Sequence, residues 1–68
     1  MAPVERLAMR LKRLRKARNN MTQEELAKRA GLTRGYVARL ETGRHDPALS
    51  TLEKLAKALR VKVAKLLE

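Results

Sequence analysis

The stretch from Thr22 to Gly43 reads as two short helices joined by a glycine turn, and it limits the chain to a small set of folds. Thr22 with Glu25 three residues on forms a capping box, and Met21 before it is placed to staple onto Leu26. A helix therefore starts near Gln23, carries Leu26, Ala27 and Ala30 inward, and stops at Gly31, the residue best able to adopt a left-handed backbone. After the linker residue Leu32, Thr33 caps a second helix, Leu32 can staple onto Val37, and Val37 with Leu40 forms a narrow inward face. Gly43 ends it, so the two helices span about 23–30 and 34–42.

A turn this short makes the helices cross steeply and leaves the second with its first turn toward solvent. Its outward positions are Arg34, Gly35, Ala38, Arg39 and Thr42. Glycine at position 35 costs up to about 1 kcal/mol of helix propensity against alanine, while the arginines offer the fork that reads guanine edges. That face reads as a probe.

The remaining sequence supports an all-α single domain, residues 1–68. Apolar residues recur at Val4, Leu7, Leu11 and Leu14, and again at Leu52, Leu55, Ala56 and Leu59, at helical spacing, with no alternating strand pattern. A chain of 68 residues buries only about 60% of its unfolded surface, and with no Phe or Trp and a single Tyr its core is made of Leu, Val and Ala. Asp46-Pro47 reads as a turn, and Ser50 with Glu53 as a second capping box opening a helix that runs to about Leu59. Val61, Val63, Leu66 and Leu67 then form a short apolar C-terminal helix that either closes the core or supplies a two-fold dimer contact.

Charge narrows the function. Seventeen Lys and Arg against seven Asp and Glu give a formal net charge of +10, and seven of the cations (Arg6, Arg10, Lys12, Arg13, Arg15, Lys16, Arg18) lie in the first 18 residues. They cannot all sit on the inward stripe, so the first helix has a broad positive face suited to an anionic polymer. Arg39 and Arg34 read as base or phosphate contacts. Tyr36 either packs at the helix base or turns its hydroxyl to a phosphate. The only histidine, His45, has Asp46 beside it and lacks the partners of a metal site. There is no cysteine, which suits a reducing cytoplasm, and no uninterrupted apolar run of signal-peptide or membrane-spanning type. No nucleophile stands beside a base, no glycine loop cradles phosphate and no carboxylate pair suggests hydrolysis, so neither catalysis nor a cofactor is expected.

These residues, taken together, resemble the helix-turn-helix domain of phage repressor and Cro proteins and the Xre-type bacterial regulators. The resemblance covers nearly the whole chain. It rests on Leu14-Arg15-Lys16-Ala17-Arg18, Thr22-Gln23-Glu24-Glu25-Leu26-Ala27 and Arg39-Leu40-Glu41-Thr42-Gly43, followed by Pro47, Leu52, Leu55-Ala56 and Ala58-Leu59 in order. It implies a lambda-repressor-like five-helix bundle that binds double-stranded DNA as a sequence-specific transcriptional regulator, read as a cytoplasmic homodimeric repressor of a palindromic operator. Thr33, Arg34, Gly35, Ala38 and Arg39 would read bases. Thr22, Gln23, Tyr36 and Arg44 would meet phosphates, and Arg15 and Glu41 would form the ion pair tying the first helix to the recognition helix.

The chain also departs from the family. Asn19-Asn20 lengthens the first loop by one residue, so the choice of Arg15 over Lys16 as partner of Glu41 depends on the alignment. Gly35 replaces what is often a polar reading side chain, and Arg60 and Lys62 stand where glycine and a small capping residue are common. The family includes phage repressors, restriction-modification controllers and antitoxins, and this chain could be the DNA-binding part of a longer one. An antitoxin or co-regulator module with a protein partner is the alternative function; a membrane-surface binder working through the basic first helix is a weaker one, because its apolar stripe is used by the core.

Overall fold

The computed structural model describes residues 3–68, so the expected domain is seen from Pro3 onward. Five α-helices follow in order: α1 Pro3–Ala17, α2 Gln23–Ala30, α3 Arg34–Leu40, α4 Leu49–Leu59 and α5 Val63–Leu67. Among the described residues there is no strand. Proline occupies the first position of α1, where its missing N–H would have had no helical partner. α2 packs on α3 and α4, and α5 closes the bundle against α1 and α4.

The core is aliphatic. Leu11, Leu26, Val37, Leu55, Leu59 and Leu66 are its fully buried side chains, one or two from each helix. Met21 and Leu26, the expected staple, both lie in it. On α1 the buried stripe is Leu7, Ala8, Leu11 and Arg15, whereas Val4 and Leu14 of the expected stripe are only half-buried. The helix is turned so that Arg15, a cation, takes an inward position.

α2 begins with the full capping box: Glu25 N–H donates to Thr22 Oγ1 and Thr22 N–H donates to Glu25 Oε1, each at 3.0 Å. It ends in a Schellman motif, with Gly31 at φ 71°, its N–H on the Lys28 carbonyl at 3.3 Å and the Leu32 N–H on the Ala27 carbonyl at 2.8 Å. Thr33 then caps α3, accepting from Tyr36 N–H at 3.1 Å. Two of the expected boundaries are corrected. α3 stops at Leu40 rather than Thr42, because its last turn tightens: Thr42 N–H donates to the Arg39 carbonyl and Gly43 N–H to the Leu40 carbonyl, at 3.1 and 3.3 Å, and the Thr42 hydroxyl covers the Arg39 carbonyl as well.

Ser50 and Glu53 are the second correction. They lie inside α4, whose N-cap is Ala48 with no side-chain cap bond. The Ala48 carbonyl accepts from Thr51 and Leu52, so helical bonding has begun before Ser50 reaches a capping position. Pro47, buried at the end of the preceding loop, and Leu52 in the core hold this earlier start.

Candidate nucleic-acid interface

The two faces of α3 differ completely in burial. Val37 and Leu40 are 0% and 3% exposed, while Thr33, Arg34, Gly35 and Arg39 face solvent and Ala38 is half-buried between them. A Cβ built on Gly35 would meet nothing within 4 Å, so neither packing nor backbone geometry in the free protein calls for glycine there. Tyr36 is half-buried and packs against the core, the first of its two sequence readings. Arg44 is exposed in the loop that leaves α3, and Thr22 is exposed at the start of α2.

A polar cluster fixes the attitude of this helix. Arg15 Nε donates to Glu41 Oε2 at 2.7 Å and Arg15 Nη2 to Glu41 Oε1 at 3.0 Å, a two-pronged pair whose side chains are 8% and 3% exposed. Arg15 Nη1 donates to the Met21 carbonyl at 2.6 Å, and Gln23 Nε2 donates to Glu41 Oε1 at 3.0 Å. One carboxylate at the C-terminal end of α3 thus binds side chains from α1 and α2 together, and no buried side-chain nitrogen or oxygen among the described residues lacks a partner. The geometry uses Arg15, not Lys16. A planar guanidinium can serve both carboxylate oxygens and a backbone carbonyl at once, which an ammonium does less well.

Gln23 is the part that sequence reasoning missed. It reads as a phosphate contact, yet its amide also belongs to the Glu41 cluster. The available signal was the acceptor capacity of Glu41, whose carboxylate has more lone pairs than one arginine fills. Glu25 titrates below its ordinary value of 4.5, first because the Thr22 backbone N–H binds its carboxylate, then because of the Thr22 side chain, with Arg29 adding a smaller attraction.

The electrostatics are one-sided. Among the described residues the ion pairs are Arg15 with Glu41 and Lys65 with Glu68, so Arg34, Arg39 and Arg44 have no carboxylate partner. No group of three or more His, Cys, Asp or Glu among them is placed to hold a metal ion. No described helix is long and apolar enough to cross a membrane.

Known proteins are similar to this chain in sequence and in fold. The Helix-turn-helix family model matches residues 11–66. The immunity repressor protein of Bacillus phage phi105 is 45% identical over 58 residues, covering 85% of this chain but only 40% of the repressor. The restriction-modification controller protein C.AhdI from Aeromonas hydrophila superposes with a TM-score of 0.90 at 36% identity, over 97% of this chain and 98% of that one. The hypothetical transcription factor NHTF from Neisseria superposes with a TM-score of 0.92 at 39% identity, over 98% of this chain and 76% of that one. Five helices, a capped and glycine-turned α2–α3 pair, and matches of this extent place the chain in the helix-turn-helix family of Xre-type transcriptional regulators.

Proposed function

We propose that this DNA-binding regulator acts in the cytoplasm as a homodimeric repressor, laying α3 in the major groove of a palindromic operator. The observation that carries the reading is the face of α3 itself: a helix locked from behind by Val37, Leu40 and the Glu41 cluster presents Thr33, Arg34, Gly35, Ala38 and Arg39 outward, with both arginines free of carboxylates. Rigid support matters because a bidentate arginine contact discriminates between bases only when its origin is fixed. Arg34 and Arg39 read base edges. Gly35 removes the side chain that would hold the first turn of α3 away from the groove floor.

Phosphates position the helix. Arg44 lies beyond its C-terminal end, and Thr22 and Gln23 lie at the start of α2. Thr22 is exposed at the head of α2, and beside it Gln23 Nε2 has a second N–H beyond the one given to Glu41. Tyr36, packed at the base of α3, keeps its hydroxyl as a further donor. Two copies related by a two-fold axis set their α3 helices about 34 to 36 Å apart on adjacent major grooves. Leu67 on α5 and Met9 on α1, both more than half exposed, supply apolar surface for that pairing. Occupying an operator blocks transcription without any catalytic step, and the phage relative, named as a repressor, supports that sign of effect.

Selection of bound duplexes from a random pool at about 0.15 M salt, where non-specific binding is weak, tests the whole reading. An enriched inverted repeat is expected. Enrichment of an isolated half-site would remove the dimer, and no enrichment would leave a fold whose surface serves a partner protein instead.

A further inference from the structure

We infer that two of the α1 cations, Lys12 and Lys16, contact DNA phosphates and extend the footprint beyond α2, α3 and Arg44, while Arg6, Arg10 and Arg13 do not. The inference rests on the DNA-binding reading above and sorts the basic helix by geometry. Successive residues step about 100° around a helix, so Glu5, Ala8, Lys12, Arg15 and Lys16 share one flank of α1.

Contacts at both ends show what that flank faces. Near its start, the loop after α3 lies directly on it: a Cβ on Gly43, which sits at φ 79°, would come 3.3 Å from Glu5 Cα and 3.7 Å from Ala8 Cβ. Gly43 immediately precedes Arg44. Near its other end Arg15 reaches inward from the same flank to Glu41 and the Met21 carbonyl, one residue before Thr22. Lys12 and Lys16 are one helical turn apart between and beside these anchors, both exposed and, among the described residues, with no carboxylate partner. They therefore lie along the line joining the two phosphate-binding segments, the Arg44 loop and the start of α2.

The other cations of α1 point elsewhere. Arg6, Arg10 and Arg13 line one shallow groove with Met9, and Arg10 Nη2 donates to the Glu68 carbonyl beyond α5 at 3.5 Å. By the same 100° step that groove is centred about 120° round the helix from the Glu5–Ala8 flank that meets Gly43.

The test is the salt dependence of binding to a mixed-sequence duplex of about 30 base pairs, where only phosphate contacts contribute and each adds about 0.9 to the log-log slope. Glutamine substitutions keep the aliphatic stem while removing the charge, and thermal melts establish that each variant is folded. Lys12→Gln and Lys16→Gln should each flatten the slope by about 0.9, and the double variant by about 1.8, with Arg6→Gln and Arg13→Gln matching the parent. Arg44→Gln serves as the reference for the reading itself. If Arg44→Gln flattened the slope and the lysine variants did not, the inference would fail and the reading would stand; equal flattening by Arg6→Gln and Arg13→Gln would replace it with a diffuse positive field. A parent slope near zero would overturn both.

Discussion

The halves of this bundle are held in different ways. In α2 and α3, almost every helix end carries a local device: the Thr22–Glu25 box, the Gly31 left-handed turn, the Thr33 cap. In α4 and α5, the N-terminal ends carry no side-chain cap. Ala48 and Lys62 make no side-chain cap bond, and α4 closes with the same Schellman bonding as α2 but with Arg60, at φ 57°, where α2 has glycine. The second half is fixed instead by burial, through Leu52, Leu55, Leu59 and Leu66. Side-chain caps fix where α2 and α3 start, whereas α4 and α5, which also bury only one face each, are placed by the packing of that face.

The strongest way to break the comparison is to remove the Glu41 cluster, which joins α1, α2 and the end of α3. Glu41→Ala leaves Arg15 buried with no anion and should cost about 3 to 5 kcal/mol in urea unfolding. Replacing both partners with apolar residues, Arg15→Met with Glu41→Leu, should recover most of that loss while still weakening operator binding, because the orientation of α3 is then held by packing alone. Recovery of stability and affinity together would show that the cluster contributes no orientation.

Core truncation addresses the other half. Leu55 is fully buried in α4, and Leu55→Ala should cost about 2 to 5 kcal/mol with the denaturant slope unchanged. By contrast Thr33→Ala, a single cap at the start of α3, should cost about 1 kcal/mol of stability. On the proposed reading of bases by the first turn of α3, its effect on binding to the selected operator should exceed its effect on folding. Equal effects on both would reduce Thr33 to a cap.

The same contrast decides what could be read in advance. Thr22, Glu25, Gly31 and Thr33 act on residues within a few positions of themselves, so the α2–α3 pair was legible from its own letters. Ser50 and Glu53 have the letters of a capping box but not its place, because Pro47 and Leu52 start α4 two residues earlier. The left-handed turn at Arg60 carries no glycine to announce it; only the family pattern marked the position as unusual. The inward turn of Arg15 was expected from the resemblance, whereas the rotation of α1 that puts Val4 and Leu14 at the rim depends on where α5 and the Gly43 loop press on it. Gln23 was half legible. Its place at the head of α2 suggested phosphate, but its bond to Glu41 joins residues 18 positions apart, a pairing visible only once the chain is folded.

Arg60 offers a gain rather than a loss. A left-handed backbone costs an L-residue roughly 1 to 2 kcal/mol, part of which is returned as unfolded-state entropy when glycine replaces it. Arg60→Gly should therefore stabilise the protein by about 0.5 to 1 kcal/mol, whereas Gly31→Arg at the corresponding end of α2 should destabilise it. If Arg60→Gly were destabilising, the side chain of Arg60 would have to be contributing packing or charge that outweighs its backbone conformation.

The smallest effect isolates the capping box. Glu25 has a folded pKa below its ordinary 4.5, chiefly from the Thr22 backbone N–H and then from the Thr22 side chain. In the acid range the unfolded chain therefore binds more protons at this position than the folded one, and stability rises with pH. Its contribution is complete above the ordinary glutamate value and fades as pH falls through the lower folded value. Glutamine at the same position retains the reciprocal hydrogen bonds of the box without a titrating group. Urea midpoints followed downward from neutral pH should thus fall more steeply below about pH 4.5 for the parent than for Glu25→Gln, the difference between the two curves excluding every other carboxylate. Parallel curves would mean that the carboxylate is held no more tightly in the folded box than in the unfolded chain, and that the start of α2 depends on the Thr22 hydroxyl and on the burial of Met21 and Leu26.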